Sequence, residues 1–467
     1  MSVRTKELFK TTGIFAIGNL GSKVLSFLIV PFYTYVLTIS EYGRIDLIAT
    51  LISFLLPLTT LLVHEAAIRF VPTNEIDKQQ AVTNCFVVFI IGSLGFLLLL
   101  PFINIFFDMS GLNEIFILVV VLYSFNDIFG NYLKAIGKTI IYSIYGVTNT
   151  FAFLIGNIFL VLVLKQGIYG YYLSTLIAQA ISAVIVAYGA NVLGDINFRC
   201  ISPEVLKRML RYSFPLIPNS LLWWVMTGGD KYIIYFFLGD SSNGIYSLSL
   251  KLPTILSVVF GIFSSAWQLS AIKESKADDR SIFYSKVYNY LWIILALGSS
   301  LLILIVWPLY KYVLSYNYYD GWKYVGLLIM ATMVSCLGTF LGTVYVVTQK
   351  TEWSFLSTLL GAITNLVVNF LLVKPLGLFG IATGTICGYA VVLFIRSFHA
   401  QKFLEMDLKL KQSLVLAMLI GIQCIISICV ESIWGSVIQI LFTSLICIVC
   451  RNELFRIIER VFVKLSR

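Results

Sequence analysis

Charge is scarce in this chain. Only 12% of its 467 residues are Asp, Glu, Lys or Arg, and there are two histidines, His64 and His399. With 59% hydrophobic residues and a mean hydropathy of +0.92, the chain cannot bury its apolar surface as a soluble protein of this size. A polytopic helical membrane protein has no such need, because lipid covers it. The sequence also lacks a G-x-x-x-x-G-K-[ST] run, an H-E-x-x-H and a G-x-S-x-G. No built-in ATPase, zinc protease or serine hydrolase is expected. A membrane-embedded transferase would need carboxylates or histidines clustered at one membrane face, and His64 with Glu65 is too little for that.

The eight cysteines are scattered. Cys447 and Cys450 form a C-x-x-C, but on an apolar run without histidine or acidic companions, so packing is the expected role. His64 and His399 fall near the ends of apolar runs and read as interfacial polar residues. The formal net charge of +10 does not indicate nucleic acid, because the basic residues sit in short loops between apolar runs.

Apolar runs of membrane-spanning length predict an all-α fold of about fourteen spans. The first six are 11–37, 44–64, 81–107, 114–135, 140–164 and 168–190. A polar stretch, 191–211, precedes six more at 213–238, 243–270, 284–313, 322–348, 353–374 and 378–398. A charged linker near 401–411 leads to a final pair, 412–430 and 432–450. The first run has no small-residue cleavage site after it and reads as a retained helix. With the N-terminus inside, five of the 33 Lys and Arg lie in outside loops (Arg44, Lys165, Lys311, Lys323, Lys374), three lie within spans, and the remaining 25 are inside. That bias predicts cytoplasmic termini.

Two blocks of six spans share landmarks in one order. Glu41-Tyr42-Gly43 matches Ser242-Asn243-Gly244, Gly137-Lys138-Thr139 matches Gln349-Lys350-Thr351, and Gly167-Ile168-Tyr169-Gly170 matches Gly377-Leu378-Phe379-Gly380. Gly130 and Gly342 precede their Lys-Thr pairs at equal distance. The expected organisation is a six-helix bundle over 1–200, a second over 201–400, and a linker, extra helix pair and basic tail over 401–467. Repeats of equal orientation relate by an axis along the membrane normal, with a cavity between them.

The charges inside spans are the candidate site. Lys23, Lys231 and Lys251 are intramembrane cations, and a charge there costs about 3 kcal/mol on insertion scales, so such residues face a cavity or a partner. Lys231 and Lys251 are nearer the outer edge, where snorkelling is an alternative. Asp127, with Asn131 one turn on, is expected either to pair with a lysine or to couple transport to H+ or Na+; Asp230 competes for that role. Glu65 and Arg69 are an i, i+4 pair at a cytoplasmic helix end, read as an interfacial salt bridge or an inner gate. Pro215, Pro218, Gly228 and Gly229 are either close-packing residues or hinges of the seventh span. No metal site and no cofactor is expected.

Several stretches together resemble a known family. They are Gly18-Asn19-Leu20-Gly21-Ser22-Lys23, Ile39-Ser40-Glu41-Tyr42-Gly43, the run from Phe214-Pro215 through Gly229-Asp230-Lys231-Tyr232, Phe237-Leu238-Gly239 leading to Gly244-Ile245-Tyr246-Ser247-Leu248, and Tyr318-Tyr319-Asp320-Gly321-Trp322. The pattern is similar to the oligosaccharide-repeat (Wzx-type) flippases of the multidrug/oligosaccharidyl-lipid/polysaccharide exporter superfamily, over about residues 8–400. The resemblance implies a V-shaped, MATE-like bundle in the bacterial inner membrane, working by alternating access and driven by an ion gradient. Its substrate would be an undecaprenyl-diphosphate-linked sugar repeat, for O-antigen, capsule or exopolysaccharide. Its partners would be that lipid, the surrounding membrane lipids, and a polysaccharide polymerase or chain-length protein. Lys23, Lys231, Lys251 and Arg69 would contact the anionic headgroup. The final helix pair is similar to that of fourteen-helix lipid II flippases, which makes lipid II the alternative substrate. A multidrug/cation antiporter ranks below it, because such a protein favours an acidic cavity.

Overall fold

A computed structural model describes residues 27, 29–106, 111–273, 279–348, 350–451 and 453. Every regular element among them is helical. The chain forms two compact units, Met1–Trp224 and Val225–Arg467.

In the first unit, α1 (Val30–Val36) starts with Pro31 in its first turn, where a missing N–H costs nothing. It stops at Leu37, and Thr38 caps α2 (Ile39–Thr60). Thr38 Oγ1 accepts from the Glu41 N–H at 3.2 Å, and Glu41 Oε2 accepts from the Thr38 N–H at 2.9 Å. Glu41 of the Glu41-Tyr42-Gly43 landmark therefore closes a capping box with Thr38. Leu61 and Leu62 both adopt left-handed φ (48° and 50°), which breaks the chain before α3 (Val63–Phe70). Next come α4 (Lys78–Phe106), α5 (Asn113–Ala135), α6 (Thr139–Asn157, continued by a π-helical Ile158–Val163) and α7 (Gly167–Gly189). The polar stretch 191–211 is not a plain loop. It holds a single turn, α8 (Val192–Asp195), and most of α9 (Pro203–Ser213), which is capped by Ser202 and buries Met209. Arg208 on α9 pairs with Glu75 and lies over the Phe70 ring. The unit closes with α10 (Leu216–Trp224).

The second unit opens on a π-helical stretch, Val225–Gly229, and continues as α11 (Asp230–Ser249). Gly239, at φ 84° and ψ 175°, breaks α11 internally; that conformation is open only to glycine. Then follow α12 (Lys251–Lys273), α13 (Arg280–Tyr312), α14 (Trp322–Val347), α15 (Thr351–Leu376) and α16 (Leu378–His399). The last pair, α17 (Leu410–Cys429) and α18 (Ile433–Val449), is stitched by exchanged glutamine amides: Gln439 Nε2 donates to the Gln423 carbonyl at 2.9 Å. Cys424 Sγ reaches the Gly326 carbonyl of α14 at 3.2 Å, and Ser300 of α13 meets Thr443 of α18 at 2.7 Å. The pair is thus docked onto this unit.

Among the described residues, ten helices are long and apolar enough to cross a membrane, or eleven if the bent pair Leu216–Ser249 and Lys251–Ser264 is one span. The first predicted span lies mostly outside the described residues, and the last, Ile433–Val449, has 17 residues. The chain is a multi-pass membrane protein. Two landmark glycines have a packing reason. A β-carbon on Gly342 would lie 2.5 Å from Arg396 Nη1, and one on Gly130 would lie 3.2 Å from the Tyr145 ring.

Candidate functional site

The most built polar site in the second unit centres on Asp230, the first residue of α11. It is 4% exposed. Its Oδ1 accepts from Asn369 Nδ2 at 2.6 Å; its Oδ2 accepts from Thr385 Oγ1 at 2.6 Å and from the Tyr246 hydroxyl at 3.2 Å. Asn365 also hydrogen-bonds it. All these partners are neutral. Asn365 and Asn369 lie one turn apart on α15, and the carbonyl oxygens of both amides are buried with no hydrogen-bond partner among the described residues. Thr385 also sits 3.0 Å from the Ile381 carbonyl of α16. Tyr389 closes the cluster by donating to the Met226 carbonyl at 3.1 Å.

Glycine makes the cluster possible. Gly380, Gly384 and Gly388 form one stripe on α16, and β-carbons there would fall 2.3 Å from the Leu372 carbonyl oxygen, 2.0 Å from Asn369 Oδ1 and 2.7 Å from Asn365 Cβ. The stripe lets α15 approach closely, as small residues do between membrane helices. What results is a buried carboxylate held by amide and hydroxyl donors, with the oxygens of both asparagine amides unsatisfied among the described residues. Unpaired buried acceptors of this kind are costly.

The first unit has its own charged group. His64 on α3 is 5% exposed. Its Nδ1 lies 3.2 Å from Asp127 Oδ2 on α5, an ion-pair distance without hydrogen-bond alignment, and its Nε2 lies 3.5 Å from Glu65 Oε1. Asn131 Nδ2 reaches Asp127 Oδ1 at 3.2 Å, and Lys134 Nζ donates to Asn131 Oδ1 at 2.8 Å. His64 is buried against Asp127. One expectation is corrected here. Glu65 and Arg69 form no ion pair; Glu65 turns to His64, and Arg69 is exposed. The left-handed break at Leu61 and Leu62 rotates α3 so that His64 points inward.

The other candidates are dispersed. Lys23 lies outside the described residues. Lys231 follows Asp230 on α11 and is half-buried. Lys251 is the first residue of α12, at the 43° bend of the broken span, and is half-buried too. Pro215 precedes α10 and Pro218 is in its first turn, where proline is tolerated. Gly228 and Gly229 fall in the π-helical stretch at the start of the second unit. Asn365, Asn369, Thr385 and Tyr246 escaped sequence reasoning. The available signal was two asparagines at i, i+4 within an apolar run, followed by glycines at the same spacing.

The sequence pattern of a family described as "polysaccharide biosynthesis protein" matches residues 8–268. The chain belongs to that family. The match takes in Asp230 and Tyr246 but ends before Asn365, Asn369 and Thr385. No curated protein sequence matches the chain. Solved structures match in fold. An inward-facing multidrug-resistance MATE transporter of the MOP superfamily superposes at a TM-score of 0.61 and 16% identity, over 86% of this chain and 94% of that one. The lipid II flippase MurJ, in an inward closed conformation, gives a TM-score of 0.69 and 12% identity, over 95% of this chain and 99% of that one. A MATE protein in complex with MaD3S gives 0.58 and 17%, over 84% and 95%. At these identities the likeness defines the fold: this chain has the MATE- and MurJ-like fold.

Proposed function

We propose that this protein flips undecaprenyl-diphosphate-linked oligosaccharide repeat units from the inner to the outer leaflet of the bacterial cytoplasmic membrane, by alternating access, with both termini in the cytoplasm. Membership of the polysaccharide biosynthesis family over residues 8–268 carries the reading. The fold supports it, because proteins of this fold include a lipid II flippase and multidrug transporters. In this reading two six-helix bundles work against each other. Lys23, Lys231, Lys251 and Arg69 contact the diphosphate or acidic sugars, Pro215, Pro218, Gly228 and Gly229 absorb the bending, and Glu65 stands at the inner mouth. A polymerase or chain-length protein receives the product.

The ion gradient acts through Asp230. Its carboxylate is buried and held by neutral groups, and binding of Na+ or H+ there neutralises it. Asp127, held beside His64, becomes a structural pair in this scheme. Reconstitution tests the function: vesicles carrying the protein and a fluorescent undecaprenyl-diphosphate saccharide should move it between leaflets, faster under a Na+ or pH gradient. No movement under either gradient would refute the reading.

One observation favours a second substrate, lipid II. The match to MurJ takes in 95% of this chain, against 86% and 84% for the two MATE structures. Lipid II offered to the same vesicles decides between the two.

A further inference from the structure

The first unit contains a cavity of about 370 Å³ whose lining includes Tyr123, Asn149, Phe153, Tyr171, Thr175 and Gln179, from α5, α6 and α7. None of the lining residues is charged, and Asp46 lies near Tyr171 behind them. Its volume is at the small end of the range for ligand pockets, ~300–1,000 Å³, which suits a sugar ring and not a whole oligosaccharide.

The walls are preorganised. Asn126 Nδ2 donates to Gln179 Oε1 at 2.7 Å and to the Gln179 carbonyl at 2.9 Å, which fixes the glutamine amide, and that amide also hydrogen-bonds the Tyr123 side chain. Asn149 donates to Ser182 Oγ at 2.9 Å and keeps its carbonyl oxygen as an acceptor. The Tyr171 ring is set edge-on by Phe153 at 5.3 Å, Tyr172 at 5.4 Å and Tyr33 at 6.1 Å. Fixed amides beside a fixed aromatic plane match a ligand with hydroxyls around its rim and C–H bonds on its face. Among the lining residues a diphosphate finds no cation, and an organic cation finds no carboxylate.

We infer that this cavity is a saccharide subsite, which takes one neutral sugar ring of the lipid-linked substrate against Tyr171 and grips its hydroxyls through Gln179, Asn149 and Tyr123. The inference rests on the flippase reading and adds where sugar identity is read. It assigns the neutral sugar and the anionic diphosphate to different residues.

Native mass spectrometry of the detergent-solubilised full chain tests it. The probes are undecaprenyl diphosphate alone and the same carrier bearing a neutral hexose, an N-acetylhexosamine, a deoxyhexose or a uronic acid. At least one neutral sugar should raise affinity tenfold or more over the bare carrier, and any gain from the uronate, made through the cations, should survive the variants below. Gln179→Leu and Tyr171→Leu should each bring the neutral-sugar preference close to one without weakening the bare carrier. Tyr171→Phe, which keeps the ring, should retain it. A neutral-sugar preference that survives Gln179→Leu and Tyr171→Leu overturns the subsite. Equal binding of bare and sugar-bearing carriers by the unaltered chain also overturns it, while the flippase reading stands. If no carrier binds at all, both fall. Tighter binding of tetraphenylphosphonium than of any carrier, lost in the same variants, would make the cavity a cation site instead.

Discussion

Gly384 on α16 lies so close to Asn369 on α15 that a β-carbon there would stand 2.0 Å from the Asn369 Oδ1. The absent side chain is what places that amide beside Asp230. Gly384→Ala should therefore push Asn369 out of the cluster and cost about 1–3 kcal/mol, the usual range for overpacking. A lower melting temperature in detergent, together with loss of any Na+- or pH-dependent stabilisation, is the expected outcome. An unchanged melt with full cation response would show that the helices separate freely here.

Asp230→Asn keeps the shape of the cluster and removes its charge. Flipping driven by an imposed gradient should fall at least tenfold, while any exchange without a gradient continues. Asp127→Asn should leave gradient dependence intact. The reverse result would move the coupling role to Asp127.

His64 and Asp127 should be energetically coupled. Asp127 is 27% exposed at its side chain, so the pair is partly screened. A double-mutant cycle of His64→Phe and Asp127→Asn should give about 1 kcal/mol of interaction. Additive losses in thermal stability would mean that the two merely lie near each other.

Arg396 is 2% exposed and has no acidic partner among the described residues. Its Nε donates to Ser357 Oγ at 2.9 Å, one Nη to the Gly338 carbonyl at 2.8 Å, and the other to Thr358 Oγ1 at 2.9 Å and the Ser354 carbonyl at 3.2 Å. Ser357 and Thr358 in turn donate to the Ser354 carbonyl, so their lone pairs remain for the guanidinium. Arg396→Met should destabilise the unit by about 1–3 kcal/mol for each acceptor left unsatisfied. Arg396→Lys should recover only part of that, because a point charge cannot replace the fork. Thermal melts of both variants check the order.

Hydropathy made the helical class readable, since each long apolar run among the described residues coincides with a helix. The Glu41-Tyr42-Gly43 landmark was readable as a motif, but its role in the Thr38–Glu41 capping box emerged only from the structure. Breaks set by backbone conformation were not. Nothing in Leu61-Leu62 announces two left-handed residues, and without that break His64 reads as a helix-end residue. Asp230 was recognisable as an intramembrane carboxylate, but Asn365, Asn369 and Thr385 reach it from α15 and α16, more than 130 residues away along the chain. Such long-range partners leave no local period to find. The Glu65–Arg69 spacing was right for a pair, yet a nearer imidazole took the glutamate.

The fastening of α15 to α16 sets which parts of this protein can be exchanged with those of a relative. The glycine stripe of one helix fits the asparagines of the other, and Arg396 is held by hydroxyls from its neighbour. A chimera that imports either helix alone inherits half of each fit. Only the two together form a transferable module, and the Gly338 and Gly342 face of α14 has to come from a donor that also carries the arginine.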